Sequence, residues 1–135
     1  MMCPAESPTI DSLKQRPISV LIVESEVLIR LSISEFLREN GLHVVEASST
    51  AEARSVLLAD VAIDIVFADA NLSDEDGLAP WLADNHPEVA LLLAAWASSR
   101  PPEAPQGNVL ARIEKPYTPE RVLQSIRDIA ERRAV

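Results

Sequence analysis

The chain has 135 residues, 47% apolar and 24% charged, which suits a single folded domain and excludes both a two-domain protein and an intrinsically unfolded chain. Twelve Lys and Arg against 21 Asp and Glu give a net charge of −9, which repels phosphate backbones, so no nucleic-acid partner is expected. No apolar stretch approaches the roughly 20 residues of a membrane span, no leader pattern opens the chain, and a lone Cys3 with only 3 glycines excludes a disulfide framework, a cysteine metal site and a Gly-rich phosphate loop. The default expectation is a cytoplasmic protein with no membrane partner.

Met1 to Pro17 carries three prolines among polar residues and is expected to be a mobile tail, leaving 18–135 as the domain. Ile18 to Val23 is a short β-branched run, a buried strand by type. Val27 to Asn40 has Leu28, Leu31, Phe36 and Leu37 at helical spacing, with Gly41 as its stop signal. His43 to Ala47 is a second strand. Ser49 or Thr50 caps a helix through Ala59. Ile63 to Ala68 is a third strand, Asp69 to Gly77 a polar loop, and Leu78 to Asp84 a short helix carrying Trp81. Val89 to Ala95 is a fourth strand. Pro101, Pro102 and Pro105 predict a loop or a single turn from Ser98 to Gly107 where a fourth crossover helix belongs. Val109 to Ile113 is a fifth strand. Thr118 caps the last helix, which runs to Arg133 with Val122, Ile126 and Ile129 as its apolar stripe.

Five apolar strands alternating with helices predict an α/β fold: a doubly wound, five-stranded parallel sheet of order 2-1-3-4-5, flavodoxin-like, with a degenerate fourth helix. In such sheets the site lies at the carboxyl ends of strands 1 and 3, where the strand order reverses. Glu24-Ser25-Glu26 follows strand 1, Asp69 follows strand 3, and Lys115-Pro116 follows strand 5. Any one of these charges alone would be read as solvating a loop or capping a helix. Three at one switch point indicate a site.

Those residues carry a resemblance. Val23-Glu24-Ser25-Glu26, Asp69 with Gly77 eight residues on, the stretch Asn71-Leu72-Ser73-Asp74-Glu75-Asp76-Gly77-Leu78, and Lys115-Pro116-Tyr117 resemble the response-regulator receiver domain over residues 18 to 133. The resemblance implies a bacterial two-component signalling module. Asp69 would be the phosphoacceptor, served by a histidine kinase, a phosphotransfer protein or a small phosphodonor. Lys115 would contact the phosphoryl group and the carboxylate. Magnesium would be held by Glu24, Asp69 and the backbone carbonyl of Asn71, with Ser25 or Glu26 as an open remainder. A downstream protein target is implied, a homodimer is left open, and the Lys115–Pro116 bond is expected to be cis. The chemistry is sound on its own terms, since a carboxylate is a competent nucleophile and phosphoryl transfer needs its equatorial charge neutralised.

The sequence also departs from that family. Ser25 stands where a direct carboxylate ligand is usual, which implies weak magnesium binding. Glu26 also suits the positive end of the following helix dipole. By register, Ala94 takes the place of a switch Thr or Ser, and Arg112 that of a switch aromatic. A degenerate receiver acting as a phosphorylation-independent binding module is therefore the alternative function. A small phosphatase is a third reading, but its class wants a second Asp where Asn71 stands. No turnover enzyme is expected beyond hydrolysis of the chain's own acyl phosphate. His43 and His86 lack partners at metal spacing and read as structural. Trp81 and Trp96 read as packing sooner than as an interface, and Arg132-Arg133 as a solvated helix end.

Overall fold

A computed structural model of the chain describes residues 16–96 and 108–134. Strands β1 (Ser19–Val23), β2 (His43–Ala47), β3 (Ile65–Asp69), β4 (Ala90–Trp96) and β5 (Val109–Lys115) form one sheet in the order β2-β1-β3-β4-β5. Every neighbouring pair is parallel. This is the doubly wound order expected from the strand pattern. The crossovers are α1 (Val27–Glu39), α2 (Thr50–Leu58) and the consecutive helices α3 (Ala70–Asp76) and α4 (Leu78–Asn85); α5 (Pro119–Ala134) follows β5. The expectations for 1–15 and for Ser98 to Gly107, the degenerate fourth helix, lie outside the described residues.

The strands are apolar on both faces because both are covered. On one face Val20, Ile22, Phe67, Leu92 and Ile113 pack against Ile33 and Leu37 of α1 and Val122, Ile126 and Ile129 of α5. On the other, Leu21, Val66, Leu91 and Leu93 pack against Ala53 and Leu57 of α2 and Leu78 and Leu82 of α4. The α5 stripe is the expected one. The α1 stripe is so only in part: Phe36 and Leu37 pack on the core as expected, but Leu28 and Leu31 are exposed, and Ile33 and Ser34 turn inward instead.

Helix ends follow the local chemistry. Gly41, at φ 89°, closes α1: its N–H donates to the Arg38 carbonyl at 3.0 Å and the Leu42 N–H to the Leu37 carbonyl at 3.1 Å. That paired pattern satisfies carbonyls that a helix end leaves bare. Ser49 caps α2 by accepting from the Glu52 N–H at 3.1 Å, and Thr118 Oγ1 accepts from the Arg121 N–H at 3.2 Å.

The segment from Asp69 to Gly77 corrects the loop expectation. Residues 70–76 are helical because Asp69, at the end of β3, is also their N-cap. Its Oδ1 accepts from the backbone N–H groups of Asn71 at 2.8 Å and Leu72 at 3.3 Å. Gly77, in the left-handed region at φ 64° and ψ 39°, ends α3 and redirects the chain into α4. Thr50 Oγ1 donates to the Asp76 carboxylate and Arg54 to the Asp76 carbonyl, tying the end of α3 to α2. Capping and these ties outweigh a polar composition that favours a loop.

Candidate functional site

The carboxyl ends of β1, β3, β4 and β5 make one edge, and five charged or aromatic side chains gather there. Asp69 closes β3 and Lys115 closes β5, separated in the sheet by β4. Lys115 Nζ donates to Asp69 Oδ2, and both side chains are largely buried. The Lys115–Pro116 bond is cis, as the resemblance implied. Asp69 thus has its two oxygens committed differently, Oδ1 to the first turn of α3 and Oδ2 to the ammonium.

Glu24, directly after β1, is buried, and its Oε2 accepts from the Glu26 N–H at 3.0 Å. Ser25 and Glu26 are exposed. Behind Glu24, Arg30 Nη1 donates to the Glu24 carbonyl at 2.7 Å while its Nε reaches Glu46 Oε1 at 3.2 Å. The backbone at Glu24 is therefore pinned from α1 and β2.

Asn71 is the second residue of α3, and its backbone N–H donates to Asp69 Oδ1 at 2.8 Å, which holds this residue beside the expected acceptor. Ala94, the expected switch position, lies beside that same aspartate. It pairs with Asp69 and with Ile113, and packs on the α1/α5 face. Arg112 pairs with Leu93, on the α2/α4 face. Ala94 carries no hydroxyl, so this position offers no side-chain donor beside Asp69.

Two aromatic residues join the site that their sequence context did not assign to it. Trp96, the last residue of β4, is paired in register with Lys115, and Lys115 Nζ stands 5.7 Å from its ring centroid. Tyr117 follows the cis bond and packs edge-on to Phe67 at 5.6 Å. The signal for Tyr117 was its place directly after Lys115-Pro116; Trp96 could be placed only from the strand register. The histidines stay apart from the crevice: His43 opens β2 at the amino edge, and His86 lies against Trp81, the rings tilted at 46° with centroids 5.4 Å apart.

Burial, then the negative charges of Glu24, Asp69 and Glu26, push the Tyr117 phenol above its ordinary range. Folding thus favours the protonated ring. Its contribution to stability is fully present below the unfolded phenol value of about 10 and is lost as pH rises beyond it. Tyr117 is the chain's single tyrosine, so phenolate absorbance tests this directly. The folded protein should ionise at higher pH than the same protein in denaturant. Coincident titrations would place the ring outside the acidic crevice.

The family model of the response regulator receiver domain matches residues 20–127. The chain belongs to the response-regulator receiver family. The transcriptional regulatory protein PdtaR of Mycobacterium tuberculosis is 32% identical over 124 residues, which cover 88% of this chain and 60% of that protein. The receiver thus spans about 60% of the length of the curated relatives it matches. Chemotaxis response regulator CheY4 of Vibrio cholerae superposes with a TM-score of 0.68 at 22% identity, covering 84% of this chain and 98% of that one. A receiver domain protein from Clostridium thermocellum gives a TM-score of 0.74 at 18% identity, covering 87% and 97%. At these identities the structural likeness is one of fold. Among the described residues no helix is long and apolar enough to cross a membrane.

Receivers generally bind magnesium at their acidic pocket. Among the described residues of this one, no three His, Cys, Asp or Glu side chains gather into a metal-holding group. Glu24 and Asp69 provide two carboxylates. That pair fits a mostly hydrated magnesium ion, which keeps several waters and takes one or two carboxylates.

Proposed function

We propose that this receiver accepts a phosphoryl group on Asp69 and signals by contacting a partner protein. The observation that carries the reading is the Asp69–Lys115 pair at the switch point of the sheet, beside the buried Glu24. The donor is a phosphohistidine of a histidine kinase or phosphotransfer protein, or a small acyl phosphate. One Asp69 carboxylate oxygen attacks the phosphorus. The bond from phosphorus to the donor breaks, and its electron pair leaves with the donor. The Lys115 ammonium faces the developing negative charge at no reorganisation cost, because it is already held at the carboxylate. Magnesium, when held by Glu24 and Asp69, supplies further neutralisation of the phosphoryl oxygens. Water later cleaves the acyl phosphate and restores the carboxylate. The chain is a cycling acceptor and not a turnover enzyme.

Protein contact is supported by α1. Val27, Leu28, Ile29 and Leu31 are exposed on the helix that starts beside Glu24, and clustered exposed apolar residues favour a protein partner. The net charge of −9 argues against direct nucleic-acid binding, and the cytoplasm is the fitting compartment. A second reading is favoured by Ser25, Ala94 and Arg112: a pseudo-receiver that binds its partner whatever the state of Asp69.

Incubation with acetyl phosphate and magnesium, followed by intact mass, separates the two. Wild type should gain one phosphoryl mass and Asp69→Asn none. Label persisting in Asp69→Asn would remove Asp69 from its role, and an unlabelled wild type would favour the pseudo-receiver.

A further inference from the structure

Lys115 has two partners. Its ammonium donates to Asp69 Oδ2 and also stands over the Trp96 indole, 5.7 Å from the ring centroid. The last rung between β4 and β5 pairs Trp96 with Lys115, so the two side chains leave the sheet edge on the same face. A cation within about 6 Å of an indole centroid is attracted by the negative face of the ring. Core packing does not explain the position of this indole, since Trp96 is 50% exposed. Nearby, Ala94 offers no donor and Arg112 no ring.

We infer that Trp96 is a positioning residue for Lys115 and the element that displays the state of Asp69 at the protein surface. The inference rests on phosphoryl acceptance by Asp69. With Asp69 unmodified, the ammonium is shared between carboxylate and indole. A phosphoryl group adds up to two negative charges and places its oxygens beyond the carboxylate. The ammonium follows those oxygens, because charge-assisted hydrogen bonds are the strongest it can make. Its relation to the indole changes with it. Trp96 is half in solvent, so the changed ring is open to a partner. The same ring keeps the long, flexible lysine stem from sampling solvent before transfer.

Trp81→Phe leaves Trp96 as the chain's sole indole, since the sequence has 2 tryptophans. This variant is treated with acetyl phosphate and magnesium, and emission and intact mass are followed on one sample. Emission should change with the time course of labelling, and the added Asp69→Asn substitution should abolish the change. Label without an emission change overturns the inference and leaves phosphoryl acceptance standing. No label overturns both. Trp96→Leu and Trp96→Phe then test positioning. Leucine keeps apolar bulk without a π face, and phenylalanine keeps a face. Trp96→Leu should slow labelling roughly two- to fivefold with its thermal midpoint unchanged, while Trp96→Phe stays near the wild-type rate. Equal rates in all three proteins, or equal slowing in both variants, would show that the ring face does not position Lys115.

Discussion

Ser25→Asp should tighten magnesium binding roughly ten- to a hundredfold and speed phosphorylation of Asp69. The site starts from two carboxylates, and each is already engaged. Glu24 Oε2 accepts from the Glu26 N–H, while Asp69 divides its oxygens between α3 and Lys115. Ser25 lies between Glu24 and the start of α1 and is exposed, so a longer acidic side chain fits there without repacking the core. A hard anionic oxygen added to such a site raises affinity for a hard divalent cation. The same substitution crowds a third carboxylate against Glu24 and Asp69, so the metal-free variant should be less stable than wild type. Calorimetric titration with magnesium gives the affinity, and intact mass gives the labelling rate. An unchanged affinity would mean that Glu26 or water already completes the ion's coordination.

The sheet was legible because parallel strands covered on both faces have to be apolar throughout. Runs such as Ile18 to Val23 have no other comfortable place in a chain of this length. The order of the strands then placed Glu24, Asp69 and Lys115 at one edge. What was not legible depended on tertiary choice. In α1, Leu28 and Leu31 form as good a helical stripe as Ile33 and Leu37, and only docking against β1 and α5 decides which turns inward. In α3, a polar sequence becomes helical because Asp69 spends a carboxylate oxygen on its first N–H groups, a use that competes with reading Asp69 only as a nucleophile. The register of β4 shows how small the margin is. A shift of one residue would take Ala94 off the face of Asp69, and a run of six apolar residues from Ala90 to Ala95 gives no alternation to fix it. Trp96 reaches Lys115 only through that same register.

Phe67→Ala should cost about 3–5 kcal/mol, more than any other truncation beside the site. Phe67 lies on β3, the central strand, two residues before Asp69, and is nearly fully buried. Its ring fills the face shared with α1 and α5 and meets the edge of Tyr117 at 83°. Truncation therefore removes transfer energy, opens a cavity in a layer clamped by two helices, and takes away the wall on which Tyr117 rests. Phe67→Leu separates these effects. It keeps apolar bulk in the layer and loses chiefly the ring pairing, worth about 0.5–1.5 kcal/mol. Denaturation in urea without magnesium measures both variants against wild type. Phe67→Leu, which stays folded, should also let the Tyr117 phenol ionise at lower pH than in wild type. The reason is that burial is the largest cause of its raised value, and the Phe67 ring supplies part of that burial. If Phe67→Ala costs under about 1 kcal/mol, the layer beneath the crevice can collapse around the gap, and the rigid support assumed for Asp69 and Tyr117 is absent.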